Sequence, residues 1–166
     1  MFNNYLKIQQ NSNGDLGIFT TVDIPANTPI MELRGDICSL KDLPQNSEVH
    51  LQIGVDIFLC PSGVLDGVDF INHHCDPNCM LHVVGKRAIL YSLYVIPKNS
   101  ELTFDYSTTS TDTVENWKMN CKCNSFKCRQ VVSGYQYLSE KQKNDYKKRG
   151  ITPLFILEPN MFQKTW

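Results

Sequence analysis

Cys121-Lys122-Cys123 and Cys128 form a Cys-x-Cys-x4-Cys run, the densest group of reactive side chains in the chain. Thiolates are preferred ligands of structural zinc, which takes four in a tetrahedron. Three cysteines within eight residues leave one position to be filled from elsewhere. Well before this run, Phe70-Ile71 leads into Asn72-His73-His74-Cys75-Asp76-Pro77-Asn78, where amides, imidazoles and a thiol stand in succession. Pro77 forbids a continuing helix and biases Asp76 towards extended geometry. So many consecutive polar groups need partners if they lie inside a fold; a surface turn is the alternative. On chemistry alone, His73, His74, Cys75 and Cys79 can each complete the metal site. Seven cysteines is an odd number, and Met1-Phe2-Asn3-Asn4-Tyr5 is not a secretory start. Reduced thiols around a metal are therefore expected rather than a disulfide framework.

The elements that must position these residues are mostly strands. Tyr5–Gln10, Ile18–Val22, Ile30–Leu33, Val49–Ile53, Ile57–Cys60, Met80–Val84 and Lys86–Leu93 read as short strands, with turn signals such as Asn13-Gly14 between them. Ile24-Pro25-Ala26-Asn27-Thr28 and Ile96-Pro97-Lys98-Asn99-Ser100 are two similar corners, each leading from one strand to the next. Helix is scarce until Ser139, which forms a capping box with Gln142 ahead of Glu140–Arg149, with Gly150 as the stop. Lys147, Lys148 and Arg149 complement the dipole of that helix and read as a solvated end. Leu154–Leu157, after Pro153, is expected to dock back on the domain. The 166 residues suffice for one domain with an appendage. A net charge of 16 − 17 = −1, with no block of one sign, points to neither nucleic acid nor an anionic membrane as a direct partner. No apolar run is long enough to span a bilayer.

Glu101-Leu102-Thr103-Phe104-Asp105-Tyr106 brings these pieces into a known order. It matches, at every position, a signature of SET-domain protein lysine methyltransferases, and the chain resembles that family in two further motifs. The Asn72 stretch is similar to the family's Asn-His-Ser-Cys-x-Pro-Asn, with His74 in place of serine. The cysteine run, ending Cys128-Arg129-Gln130, resembles a post-SET segment, whose usual ending is Cys-Arg-Gly. Gly14-Asp15-Leu16-Gly17-Ile18-Phe19 lies where the family has Gly-x-Gly-hydrophobic-Phe, with Asp15 at the place of the first glycine. Glu32-Leu33-Arg34-Gly35-Asp36 resembles a Glu-Tyr-x-Gly-Glu stretch but lacks its tyrosine. An aromatic wall of the substrate channel is therefore expected from elsewhere.

The resemblance implies a mostly β SET fold of several small sheets with a pseudo-knot, a zinc-binding post-SET segment and a short C-terminal helix. Its boundaries are a SET domain over 1–107, the post-SET segment over 108–134, and a helix and tail over 135–166. It implies S-adenosylmethionine, held by Leu16, Gly17, Phe19, Asn72, His73 and Tyr106. It selects Cys75 as the fourth zinc ligand with Cys121, Cys123 and Cys128; Cys79 is the competitor, while Cys38 and Cys60 read as core thiols. Residues 117–134 are too poor in apolar side chains to order themselves, so zinc is expected to fold them over the site. Tyr106 is the expected catalytic residue, aligning methyl group and amine, and Phe104 occupies the position that influences how many methyls fit. Phenylalanine there leaves room for a second or third. His73 has a plainer alternative, a core histidine with structural hydrogen bonds. Trp117 and Phe126 flank the cysteine run and are expected to pack the metal module, or else to cover the adenine face or the lysine channel. The implied partner is a protein carrying the target lysine, a histone tail or another protein, in a reducing intracellular compartment. Two other functions remain consistent with the residues: a SET-like module that binds without turnover, and a zinc-stapled interaction protein.

Overall fold

The computed structural model describes residues 4–43, 50–61, 68–111 and 117–162. Twelve short strands dominate the described residues, and helix is confined to single 3-10 turns and the C-terminal segment. Strands β1 (Leu6–Gln10) and β2 (Leu16–Thr20) form an antiparallel hairpin. Strands β3 (Pro29–Leu33), β8 (Cys79–Val84) and β9 (Arg87–Ser92) form a sheet with β9 central. Strands β4 (Asp36–Cys38), β5 (Leu51–Gly54) and β6 (Ile57–Cys60) form another, with β6 central. The expected strand at 49–53 begins at Leu51; Val49 lies outside the described residues. Alternation along β9 turns Ala88, Leu90 and Ser92 inward. There they meet a core that includes Ile18, Ile30, Ile53, Leu81, Ile96 and Leu102. Cys60 is buried in its sheet, whereas Cys38 is partly exposed on the edge strand, so only one of that pair is a core thiol.

The two similar corners lie against each other. Ile24 and Ile96 exchange both backbone hydrogen bonds, at 2.8 and 2.9 Å. Asn27 and Asn99 hold the left-handed positions of their turns, φ 54° and 66°, which asparagine tolerates better than most residues. The buried Ser92 hydroxyl donates to the Pro25 carbonyl at 2.6 Å and accepts from the Thr28 N–H at 2.9 Å. One corner is thereby tied to the central strand of the larger sheet.

The feature that positions the site is a parallel pair of two-residue strands, β7 (Asn72–His73) and β10 (Thr103–Phe104). Thr103 stands opposite Asn72 and Phe104 opposite His73. The His74 N–H continues the ladder to the Phe104 carbonyl at 3.1 Å. Strands this short do not hold by themselves. Asn78 clamps the crossing by donating Nδ2 to the Glu101 carbonyl at 2.7 Å and accepting the Thr103 N–H at 2.9 Å.

The cysteine segment has more intrinsic order than its composition predicts. Strands β11 (Lys118–Asn120) and β12 (Val131–Ser133) pair antiparallel, and Val132 is fully buried. One inward valine and a backbone ladder thus bracket the cysteines. Helix α1 (Glu140–Lys148) starts with the expected capping box and stops before Gly150, φ 67°. Two single-turn helices follow, α2 (Leu154–Leu157) and α3 (Pro159–Phe162). Tyr146 and Ile151 cluster with Leu138, and Met80 and Leu93 pack against them; Phe155 is buried as well.

Replacing Asn78 by alanine leaves a backbone N–H and a carbonyl of the crossing without partners. The expected loss is about 2 kcal/mol or more, read as a lower urea midpoint with the slope unchanged.

Candidate active site and metal centre

Beside the crossing of β7 and β10 lies a cavity of about 690 Å³. Leu16 and Asn72 line one part of it, and Phe104, Tyr106 and Trp117 another. Leu33, Leu51, Phe58, Phe70 and Ile71 add an apolar wall, while Asp15 and Asp69 bring carboxylates to the lining. Asn72 is locked in place: its Nδ2 donates to the Leu16 carbonyl at 3.0 Å and to Glu101 Oε1 at 2.7 Å. A Cβ on Gly17 would run into the Glu101 carboxylate and come within 3.0 Å of Asn72 Nδ2. Glycine is thus needed at 17 so that strand β2 can approach this amide–carboxylate pair. Tyr106 sits among rings, with centroids 4.9 Å from Phe104, 5.3 Å from His73 and 6.4 Å from Trp117. Its hydroxyl donates to the Ile71 carbonyl at 2.7 Å, and burial pushes its pKa well up, so it is a neutral phenol.

Behind Tyr106 lies Asp105, whose carboxylate is wholly buried. Arg129 grips it with both terminal nitrogens, each at 2.6 Å. The Tyr146 hydroxyl donates to Oδ2 at 2.7 Å and the Ser107 N–H to Oδ1 at 3.0 Å. Burial alone raises the Asp105 pKa, but the hydrogen bonds and charge of Arg129, aided by the Tyr146 hydroxyl, hold it below the ordinary aspartate value. His73 belongs to the same interior. Its Nδ1 faces the Tyr106 N–H at 3.2 Å, which can only donate, so the ring proton is on Nε2, 3.2 Å from Cys75 Sγ. Burial lowers the His73 pKa to about 4, which keeps the ring neutral.

The thiols of Cys75, Cys121, Cys123 and Cys128 lie within 4.8 Å of one another. Cys75 Sγ and Cys121 Sγ are 3.7 Å apart, and a tetrahedral zinc with bonds of about 2.3 Å needs sulfurs about 3.8 Å apart. The surroundings suit thiolates. Cys75 Sγ faces His73 Nε2 and accepts the Arg129 N–H at 3.4 Å; Cys128 Sγ accepts the Gln130 N–H at 3.4 Å. Such outer donors orient metal ligands. Burial pushes the Cys75 thiol up to about 11 and raises Cys121 as well. At Cys123 the backbone amides of Cys75 and Ser125, aided by the thiols of Cys121 and Cys128, outweigh burial and draw the group down to about 7. The far side of the cysteine loop is held to the β1–β2 turn: Asn13 Nδ2 donates to the Lys122 carbonyl at 2.9 Å, and Asn124 Nδ2 donates to Asn13 Oδ1 at 3.2 Å.

A model of the SET domain matches residues 15–107, more than half of the chain. The chain belongs to the SET domain family. Histone-lysine N-methyltransferase ash1 of Drosophila melanogaster is 31% identical over 131 residues, covering 71% of this chain and 6% of that protein. Histone-lysine N-methyltransferase set1 of Dictyostelium discoideum is 28% identical over 147 residues, covering 77% of this chain and 9% of that protein. The chain therefore spans less than a tenth of these relatives. Among solved structures, that of KRYPTONITE in complex with mCHH DNA, H3(1-15) peptide and SAH superposes with a TM-score of 0.66. It is 23% identical, with 80% of this chain and 30% of that one covered.

Within the SET fold, the structure brings Leu16, Asn72, Phe104 and Tyr106 onto one cavity. Three residues assigned to the cofactor are not on its wall. Phe19 is buried in β2, on the strand face opposite the core residue Ile18. Gly17 faces Glu101 and Asn72 and acts through them. The ring of His73 faces Cys75 Sγ through one nitrogen and the Tyr106 N–H through the other. Cys79 is fully buried in β8 and does not join the thiol cluster. Trp117 lines the cavity rather than packing the cysteines, and Phe126, 91% exposed, packs on neither. Leu33 occupies the cavity wall at the position of the missing tyrosine, and Phe58, Phe70 and Trp117 supply aromatic surface from elsewhere. Sequence reasoning missed Asp105, Arg129 and Tyr146. A charge in the middle of an apolar strand end, Phe104-Asp105-Tyr106, was the available signal that a partner was required.

The purified protein is expected to carry one ion per chain. Chelation should accelerate protease cleavage within 117–133 while the β core keeps its cooperative unfolding, as followed by circular dichroism.

Proposed function

We propose that the chain is a protein-lysine N-methyltransferase that uses S-adenosylmethionine, with a lysine of a histone tail or another protein as acceptor. The observation that carries this reading is the convergence of Leu16 and Asn72 with Phe104, Tyr106 and Trp117 on one cavity. The relatives named as histone-lysine N-methyltransferases support it, as does the SAH and H3 peptide in the solved neighbour. S-adenosylmethionine, when bound, supplies an electrophilic methyl group. The chain's own residues have two tasks, to present a neutral amine and to align it. Free lysine titrates near 10.4, so only about one in a thousand is neutral at pH 7.4. The apolar wall of Leu33, Phe58, Phe70, Ile71 and Phe104 disfavours the ammonium form and lowers that pKa. Tyr106, fixed by its bond to the Ile71 carbonyl and by the rings around it, offers a neutral hydroxyl oxygen for alignment. Positioning is the main contribution of such a site. Four thiolates close the coordination sphere of a zinc ion, so the cysteine cluster's part is to hold residues 117–133 beside the cavity. A reducing compartment, in which these thiols persist, belongs to the same proposal.

Radiolabel transfer from S-adenosylmethionine to lysate proteins, followed by identification of the labelled residue, tests the reading directly. Tyr106→Phe is expected to lower turnover by about 100-fold. It should retain S-adenosylmethionine binding and lose only about 1 kcal/mol of stability. Near-normal turnover in that variant defeats the assignment of Tyr106. A wild-type protein that binds S-adenosylmethionine but transfers nothing is instead a SET-like binding module. Because Phe104 carries no hydroxyl to retain a water, the exhaustive product should bear two or three methyls by mass spectrometry. A product that stops at one methyl reverses this last point.

A further inference from the structure

Helix α1 lies beyond the residues matched by the SET model, yet its one buried side chain reaches the carboxylate next to Tyr106 in sequence. Tyr146 is 5% exposed and spans 41 positions of sequence to donate to Asp105 Oδ2. That oxygen also receives Arg129, and the other receives Arg129 and the Ser107 N–H. Arg129 touches Ser107 Oγ at 3.1 Å, and Ser107 Oγ donates to the Ser133 carbonyl at 2.6 Å. Three parts of the molecule therefore meet at one carboxylate. They are the turn that carries Tyr106, the cysteine segment through Arg129 and Ser133, and the C-terminal helix through Tyr146. The first two border the cavity through Tyr106 and Trp117, and the third is linked to them through Asp105.

Building on the methyltransferase reading, we propose that Tyr146 is a positioning residue. Its hydroxyl orients the Asp105 carboxylate so that Arg129 seats the cysteine segment and Trp117 against the cofactor cavity. The physical basis is the directionality of a charge-assisted bond inside a buried site. Without the phenol, Asp105 Oδ2 keeps one donor where it had two. The carboxylate can then rotate, and Arg129, bonded through both terminal nitrogens to its oxygens, follows it. The helix would thus act as an outside brace that sets how firmly the cysteine segment closes.

The test uses the full chain as its zinc-loaded protein. Tyr146→Phe keeps the ring in its cluster with Leu138 and Ile151 and removes only the hydroxyl. S-adenosylmethionine affinity by calorimetry is expected to fall roughly tenfold, at the low end of what a hydrogen bond to a charged group contributes. Hydrogen exchange of the amides of 129–133 should accelerate by a similar factor. Ile151→Val trims the same cluster without touching Asp105 and serves as the comparison. It should lower the melting temperature while leaving both affinity and exchange at 129–133 unchanged. If the two variants behave alike, or if Tyr146→Phe retains wild-type affinity and exchange, Tyr146 is ordinary packing and the proposal falls. A Tyr146→Phe chain that does not fold makes the hydroxyl a stability element and overturns the proposal as well. Wild-type protein with no affinity for S-adenosylmethionine refutes the methyltransferase reading itself, a result distinct from all of these.

Discussion

A single buried charge governs the arrangement of this molecule. Asp105 cannot be left alone in a low-dielectric interior, since an uncompensated carboxylate there costs several kcal/mol. Its partners come from 24 and 41 positions further along the chain, in Arg129 and Tyr146. Satisfying Asp105 therefore obliges the chain to fold its C-terminal third back over the turn that carries the carboxylate. The obligation is geometric as well as energetic, because the planar guanidinium meets both oxygens of the carboxylate at once. Tyr106, the next residue, inherits a fixed backbone position from this arrangement, reinforced by its N–H bond to His73.

A second carboxylate does comparable work on the other side of the crossing. Glu101 accepts from Asn72 and Asn11 through its side chain, and from Asn78 through its backbone carbonyl. Gly17 leaves the space that this requires. The parallel pairing of Asn72–His73 with Thr103–Phe104 is too short to persist unaided, and these side-chain bonds make it persistent. Glu101 thus fixes Asn72, and Asp105, four residues further along the sequence, holds the segment carrying Arg129. The same short stretch ties the thiol cluster to the cavity, since His73 Nε2 and the Arg129 N–H both face Cys75 Sγ. Metal centre and cavity share a scaffold of hydrogen bonds.

Much of the fold was legible because its signals are local. Alternating strands, the two Pro-x-Asn corners and the Ser139–Gln142 capping box each encode their own backbone geometry. What the sequence leaves open is direction rather than identity. Phe19 and His73 sit in motifs that border the site, and sequence alone does not say which way a side chain points from a strand next to a cavity. Phe19 is buried on the face of β2 opposite the core residue Ile18, and a neighbouring thiol and amide take both nitrogens of His73. The β11–β12 hairpin escaped notice because a single buried valine, Val132, carries its apolar signal.

The sequence by itself determined which chemistry was available: three clustered thiols short of one ligand, an amide–imidazole pair, a phenol after an acidic residue, and the order in which they occur. Those are properties of residue type and spacing, and they need no third dimension. Tertiary structure alone decided that Trp117 faces the cavity while Phe126 faces solvent, and that Cys75 joins the cluster while Cys79 is sealed in the core. It also decided that a tyrosine on the last long helix reaches the carboxylate beside Tyr106. These outcomes depend on the pairing of distant segments around buried charges, and such pairing leaves no periodic trace along the chain.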